Sequence, residues 1–119
     1  LTFLTGNENE FLRLFNIVKS HFTKEDYYKL ANTLHIPHVL ITLGARGIMA
    51  IHEGKPYFQH SFPISSKKII NTSGAGDTAA GVFISGILEN RDIHMVLRET
   101  VYYAAQVLKI PGSHLRKGR

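Results

Sequence analysis

Residues 71–81 read NTSGAGDTAAG, and the reading of this stretch decides the fold. Three glycines (Gly74, Gly76, Gly81), two hydroxyl residues (Thr72, Ser73) and a lone carboxylate (Asp77) follow the apolar pair Ile69 and Ile70 and lead into a helical pattern over residues 75–88. The first N–H groups of a helix have no intrahelical acceptor, and the helix dipole adds partial positive charge there. Glycines that let the backbone approach closely make such a junction a cradle for phosphate oxygens. An acid in an anion site repels its ligand unless it faces the other reactant and takes a proton from an attacking hydroxyl, and this is the role the stretch points to for Asp77. A plain helix start, with Thr72 or Ser73 as N-cap and Asp77 as a first-turn acid, uses the same residues. So does a dinucleotide fingerprint, since Gly74, Gly76 and Ala79 fit G-x-G-x-x-A. That motif needs a following strand ending in an acid about 20 residues on. Here a second helix follows, and Glu99 lies inside it.

Outward from this junction the chain alternates strand and helix signals. Residues 1–4 are a short apolar run ending at Thr5-Gly6, a buried strand entering a loop, so the chain starts mid-fold. Phe11, Leu12, Leu14, Phe15 and Val18 recur at near-helical spacing and predict a helix over residues 11–21. Thr23, followed by Glu25 and Asp26, caps a second helix over residues 27–34, which Pro37 ends. HVLITLG, residues 38–44, is continuously apolar and β-branched and reads as a central strand buried on both faces. Turns at residues 45–47 and 53–56 then set up a hairpin layer with strands at 48–52 and 57–62. Two helices close the chain, over residues 75–88 and 93–108, the latter capped by Asp92. In the first of them Gly76, Gly81 and Gly86 each cost about 1 kcal/mol against alanine and imply close backbone packing of a deeply buried helix. The order is that of an α/β protein with a partly antiparallel edge.

At 119 residues and 44% hydrophobic content the chain makes one domain with a core. No apolar run approaches the roughly 18 residues of a membrane helix, and LTFLTGNENE lacks the flanks of a signal peptide, so no membrane partner is expected. Absence of cysteine excludes disulfides and thiolate metal sites, with the cytoplasm as the default compartment. The net charge of +5 gathers at HLRKGR, residues 114–119, and at Lys67-Lys68. Other cations are scattered without interleaved aromatics, which argues against a nucleic-acid partner. His35-x-x-His38 straddles Pro37 and makes a poor zinc pair. Glu8 reads as a surface residue, and Phe11, Phe15, Phe83, Tyr102 and Tyr103 read as packing. No G-x-x-x-x-G-K-[ST] occurs, which excludes a Walker-type NTPase.

Taken in order, these stretches resemble the C-terminal half of the ribokinase-like (PfkB) carbohydrate and nucleoside kinases. NTSGAGDTAAG is similar to the D-T-x-G-A-G-D signature, and NENE at residues 7–10 to the N-x-x-E motif. TLGARG at residues 42–47 is similar to the T-x-G-x-x-G nucleotide loop, and Gly112-Ser113 to the terminal Gly-Ala/Ser turn. The resemblance implies a ribokinase-like three-layer αβα sandwich of which residues 1–119 form the C-terminal, nucleotide-binding and catalytic part, the substrate-binding half and lid being absent. It implies phosphoryl transfer from ATP to a hydroxyl of a sugar or nucleoside, with Asp77 as base and the N–H groups of Gly74, Ala75 and Gly76 as anion hole. Thr42, Gly44 and Gly47 would line the ATP site, Asn7 and Glu10 would organise Mg2+, and carbonyls near Asn71, Ser73 and Gly112 would hold K+. Asn71 stands where the family has aspartate, which removes a charge beside that cation site. The absent half would leave a sheet edge and core face open, favouring a homodimer. Two other readings stand beside this one: a non-catalytic nucleotide-binding remnant of such a kinase, and a dinucleotide oxidoreductase module.

Overall fold

The computed structural model describes residues 2–18, 21–61 and 74–108. The chain divides into two units, Leu1–Gln59 and His60–Arg119. In the first, strand β1 (Phe3–Asn7) passes into helix α1 (Glu8–Leu14) without a loop, so Thr5 and Gly6 belong to the strand and not to a turn. Asn7 ends one element and caps the other. Its Oδ1 accepts from the Glu10 N–H at 2.8 Å, and Glu10 Oε1 accepts from the Asn7 N–H at 2.7 Å. This reciprocal capping box satisfies donors that a helix start would leave stranded, and it sets α1 earlier than the spacing of apolar residues predicts. The helix also stops early. Asn16 adopts a left-handed φ of 55°, its N–H donates to Arg13 O at 3.1 Å, and the Ile17 N–H donates to Leu12 O at 2.8 Å. That is a Schellman end with asparagine in the place glycine usually takes.

Helix α2 (Lys24–Thr33) starts on a second capping box, Thr23 with Asp26. Strands β2 (His38–Thr42), β3 (Ile48–His52) and β4 (Lys55–Gln59) complete a four-stranded sheet in the order β1-β2-β3-β4. β1 and β2 are parallel, with Phe3 opposite His38 and Asn7 opposite Thr42, and the other pairs are antiparallel. Glu53 and Gly54, with φ of 53° and 80°, form a two-residue hairpin turn between β3 and β4. The turn is shorter than the four residues expected, so Pro56 falls inside β4, where an edge strand tolerates its missing N–H. As the unbroken apolar run requires, the first four residues of β2 are all buried, and so are those of β3. Val39, Ile41, Met49 and Ile51 pack with Phe11, Leu12, Phe22, Tyr27, Leu30 and Ala31 of the helical layer.

In the second unit the described residues 74–108 form a pair of packed helices, α3 (Ala75–Leu88) and α4 (Ile93–Leu108), with the bounds the sequence predicts. Asn90, at φ 57°, ends α3 in another Schellman motif: its N–H reaches Ile87 O and that of Arg91 reaches Gly86 O. Asp92 Oδ2 accepts from the Met95 N–H at 3.2 Å and opens α4. Contrary to the expectation of a deeply buried helix, α3 buries one face, through Ala79, Phe83, Gly86 and Ile87. Of its glycines only Gly86 is closely packed, since a Cβ there would lie 2.7 Å from Val96 Cγ2, whereas Gly76 and Gly81 border open space. No helix among the described residues is long and apolar enough to cross a membrane.

Candidate active site

Gly74 is the N-cap of α3, with φ 85° and ψ −15°, a left-handed conformation that favours glycine. Gly74 has no side chain with which to cap the helix, and Thr72 and Ser73, the caps a plain helix start would use, lie outside the described residues. The first backbone bond runs from the Thr78 N–H to Gly74 O at 2.8 Å. The N–H groups of Ala75, Gly76 and Asp77 precede it and have no intrahelical acceptor, the condition for an anion-binding helix start. Gly76 and Asp77 are exposed. Of the anion-hole and cation candidates, Asn71, Ser73 and Gly112 lie outside the described residues. α4 is a helix where a dinucleotide fold needs a strand, and Glu99 sits within it, paired to Arg91 by bonds of 2.5 and 2.6 Å. Those facts exclude the oxidoreductase reading.

In the first unit, the parallel pairing of β1 with β2 brings Asn7 and Thr42 side by side at the carboxyl ends of both strands. Open α/β sheets bind ligands at that end of their parallel strands. The 3-10 turn Gly44–Arg46 follows at once, with φ of 62° at Gly44 and 112° at Gly47, left-handed conformations that favour glycine at both ends of the turn. Leu43 N–H donates to Gly47 O at 2.8 Å and closes it. Gly44, Ala45 and Arg46 are exposed, as are Asn7 and Glu10. Asn7, Glu10, Thr42, Gly44 and Gly47 thus gather at one end of one sheet.

Glu8, read from the sequence as a surface residue, is buried at 6% exposure. Oε1 accepts from His21 Nδ1 at 2.9 Å and from Arg46 Nη2. Oε2 accepts from the Phe22 N–H at 2.9 Å and the Tyr27 hydroxyl at 3.2 Å. Burial works to raise the Glu8 carboxyl, but the His21, Phe22 and Arg46 donors outweigh it and hold the group below its ordinary range. Burial, with Glu8's charge beside it, pushes the Tyr27 hydroxyl up. The partners stand at irregular distances along the chain, so no periodicity announces the cluster. Only the acid-rich start of α1 hints at it.

The family model described as "pfkB family carbohydrate kinase" matches residues 1–115. The chain belongs to that family. A ribokinase of Lactococcus lactis subsp. lactis is 33% identical to this pfkB chain over 83% of the chain and 29% of the relative. Adenosine kinase 2 of Arabidopsis thaliana is 27% identical over 94% of the chain and 34% of the relative. Among solved structures, Arabidopsis thaliana ribokinase complexed with ribose and ATP superposes with a TM-score of 0.79 and 27% identity, over 94% of this chain and 36% of that one. The ribokinase-like α/β fold is thereby shown, and this pfkB chain spans about a third of the length of such relatives.

Proposed function

We infer that this chain is the nucleotide-binding and catalytic part of an ATP-dependent kinase that phosphorylates a hydroxyl of a sugar or nucleoside. The observation that carries the reading is the start of α3: a left-handed Gly74 in place of a side-chain cap, followed by an exposed Asp77 in the first turn. Phosphoryl transfer asks for placement and charge stabilisation more than for covalent chemistry. The Asp77 carboxylate takes the proton of the acceptor hydroxyl, whose oxygen forms the new bond to the γ-phosphorus as the bond to the β–γ bridging oxygen breaks and ADP leaves. The amides at Gly74, Ala75 and Gly76 bind the oxygens of the group in transit. Thr42 and the Gly44 and Gly47 turn receive the nucleotide.

Asn7 and Glu10 fit a magnesium ion held mostly through water, because the capping box fixes both side chains while a carboxylate has acceptor sites beyond the one Oε1 gives to the cap. Magnesium would neutralise phosphate charge there. Carbonyls near Asn71 and Ser73 are the candidate potassium ligands.

In the full natural chain, Asp77→Asn lowers transfer from ATP to sugars and nucleosides by about 10²- to 10⁴-fold while ATP still binds. Turnover retained near the wild-type rate removes the assignment. A second reading is a nucleotide-binding remnant of such a kinase without turnover. It requires that these 119 residues bind ATP–magnesium, and calorimetry without heat at millimolar nucleotide rejects it.

A further inference from the structure

Taking a carboxylate out of water is costly, and several donors are needed to offset it. Glu8 meets that cost with donors from separate parts of the first unit. Two of them belong to the core side: the Phe22 backbone N–H, beside a buried ring, and the hydroxyl of Tyr27, which is itself 2% exposed. On the other side stands Arg46, 38 residues along the chain, whose side chain is 48% exposed. Arg46 is the last residue of the 3-10 turn, and the backbone bond from its own N–H to Leu43 O is long, 3.3 Å. Backbone bonds from Leu43 N–H to Gly47 O at 2.8 Å and from Gly47 N–H to Gly44 O at 3.1 Å close the turn, but residues 44–46 within it are exposed. Glu8 adds to those bonds a charged tie from Arg46 to the buried side of the unit.

We propose that Glu8 is a positioning residue for the nucleotide turn, anchored on the core by Phe22 and Tyr27 and holding residues 44–47 in place through the Arg46 guanidinium. It touches neither nucleotide nor acceptor and acts through Arg46. That the turn receives nucleotide rests on the function proposed above; that Glu8 holds the turn does not.

The test uses the full natural chain with Glu8→Gln, which keeps volume and an acceptor for Phe22 but loses the charge, together with Arg46→Ala and the double variant. Arg46→Ala alters an exposed turn and leaves the core intact, so it reports even if Glu8→Gln fails to fold. Hydrogen exchange at the Leu43, Arg46 and Gly47 amides accelerates by about tenfold or more in each variant, with β2 and β3 unchanged. The double variant is no worse than either single one, the mark of two residues acting as a unit. Affinity for ATP–magnesium falls about tenfold in parallel, as expected when a preorganised loop must be ordered on binding. Exchange in the turn at the wild-type rate, or equal acceleration through β2 and β3, overturns the proposal, since the carboxylate then serves stability alone. A looser turn with undiminished affinity overturns its link to nucleotide. A looser turn in a protein whose wild type binds no nucleotide instead removes the proposed function and leaves Glu8's hold on the turn standing.

Discussion

Stability at the residue scale depends on which side chains must keep or lose a proton. Glu8 has a folded pKa below its ordinary value of 4.5, so its contribution is complete above that value and is lost as pH falls through the lowered folded pKa. Glu8→Gln therefore flattens the acid limb of a plot of thermal midpoint against pH; an unchanged limb contradicts the role given to its donors. His38 behaves differently. Buried at 6% exposure, stacked between Phe3 and His52, it is held below 6.5 by burial and then by the neighbouring His52. Below that pH the unfolded chain binds the proton more readily, so stability declines as pH falls from 6.5 toward the lowered pKa, and His38→Leu removes this slope. The start of α3, with Asp77 in its first turn, was legible from the sequence because its signal is local, a lone acid among glycines. Glu8 was not, because nothing within a few residues of it reveals donors that the fold delivers from residues 21 to 46.

Among the elements, the end of α3 and the start of α4 were read with correct bounds because each is written in adjacent residues: Asn90 with Arg91 closes one, and Asp92 caps the other. α1 was misplaced at both ends for the same kind of reason. Its cap is the last residue of a strand, and its stop is an asparagine in a conformation that most readings reserve for glycine. The glycines of α3 separate packing from propensity. Gly86→Ala drives a methyl against the β-branched Val96, which is fully buried and cannot turn aside. Overpacking of that kind costs about 1–3 kcal/mol and outweighs the helix propensity gained. Gly81→Ala meets nothing and stabilises by about 0.5–1 kcal/mol. Chemical denaturation of the two variants checks both signs, and a stabilised Gly86→Ala would show that α3 and α4 are less tightly packed than their geometry states.

For the molecule as a whole, similarity to a ribokinase and to an adenosine kinase falls on the same stretch of chain. On the function proposed, relatives named for such different acceptors would share here what handles a common donor. Substitutions in this stretch would then act on ATP more than on the acceptor. Gly47→Ala, which places a side chain at φ 112°, raises the KM for ATP by about tenfold with little change in the KM for the acceptor. Equal rises in both would contradict that division. The junction between β1 and α1 carries one more consequence. A slip of β1 by one place along β2 would turn each of its side chains to the other face and drag the Asn7–Glu10 box off the end of the sheet. Strand alignment and helix initiation are therefore a single choice, and the asparagine works as a latch against misaligned pairing during folding.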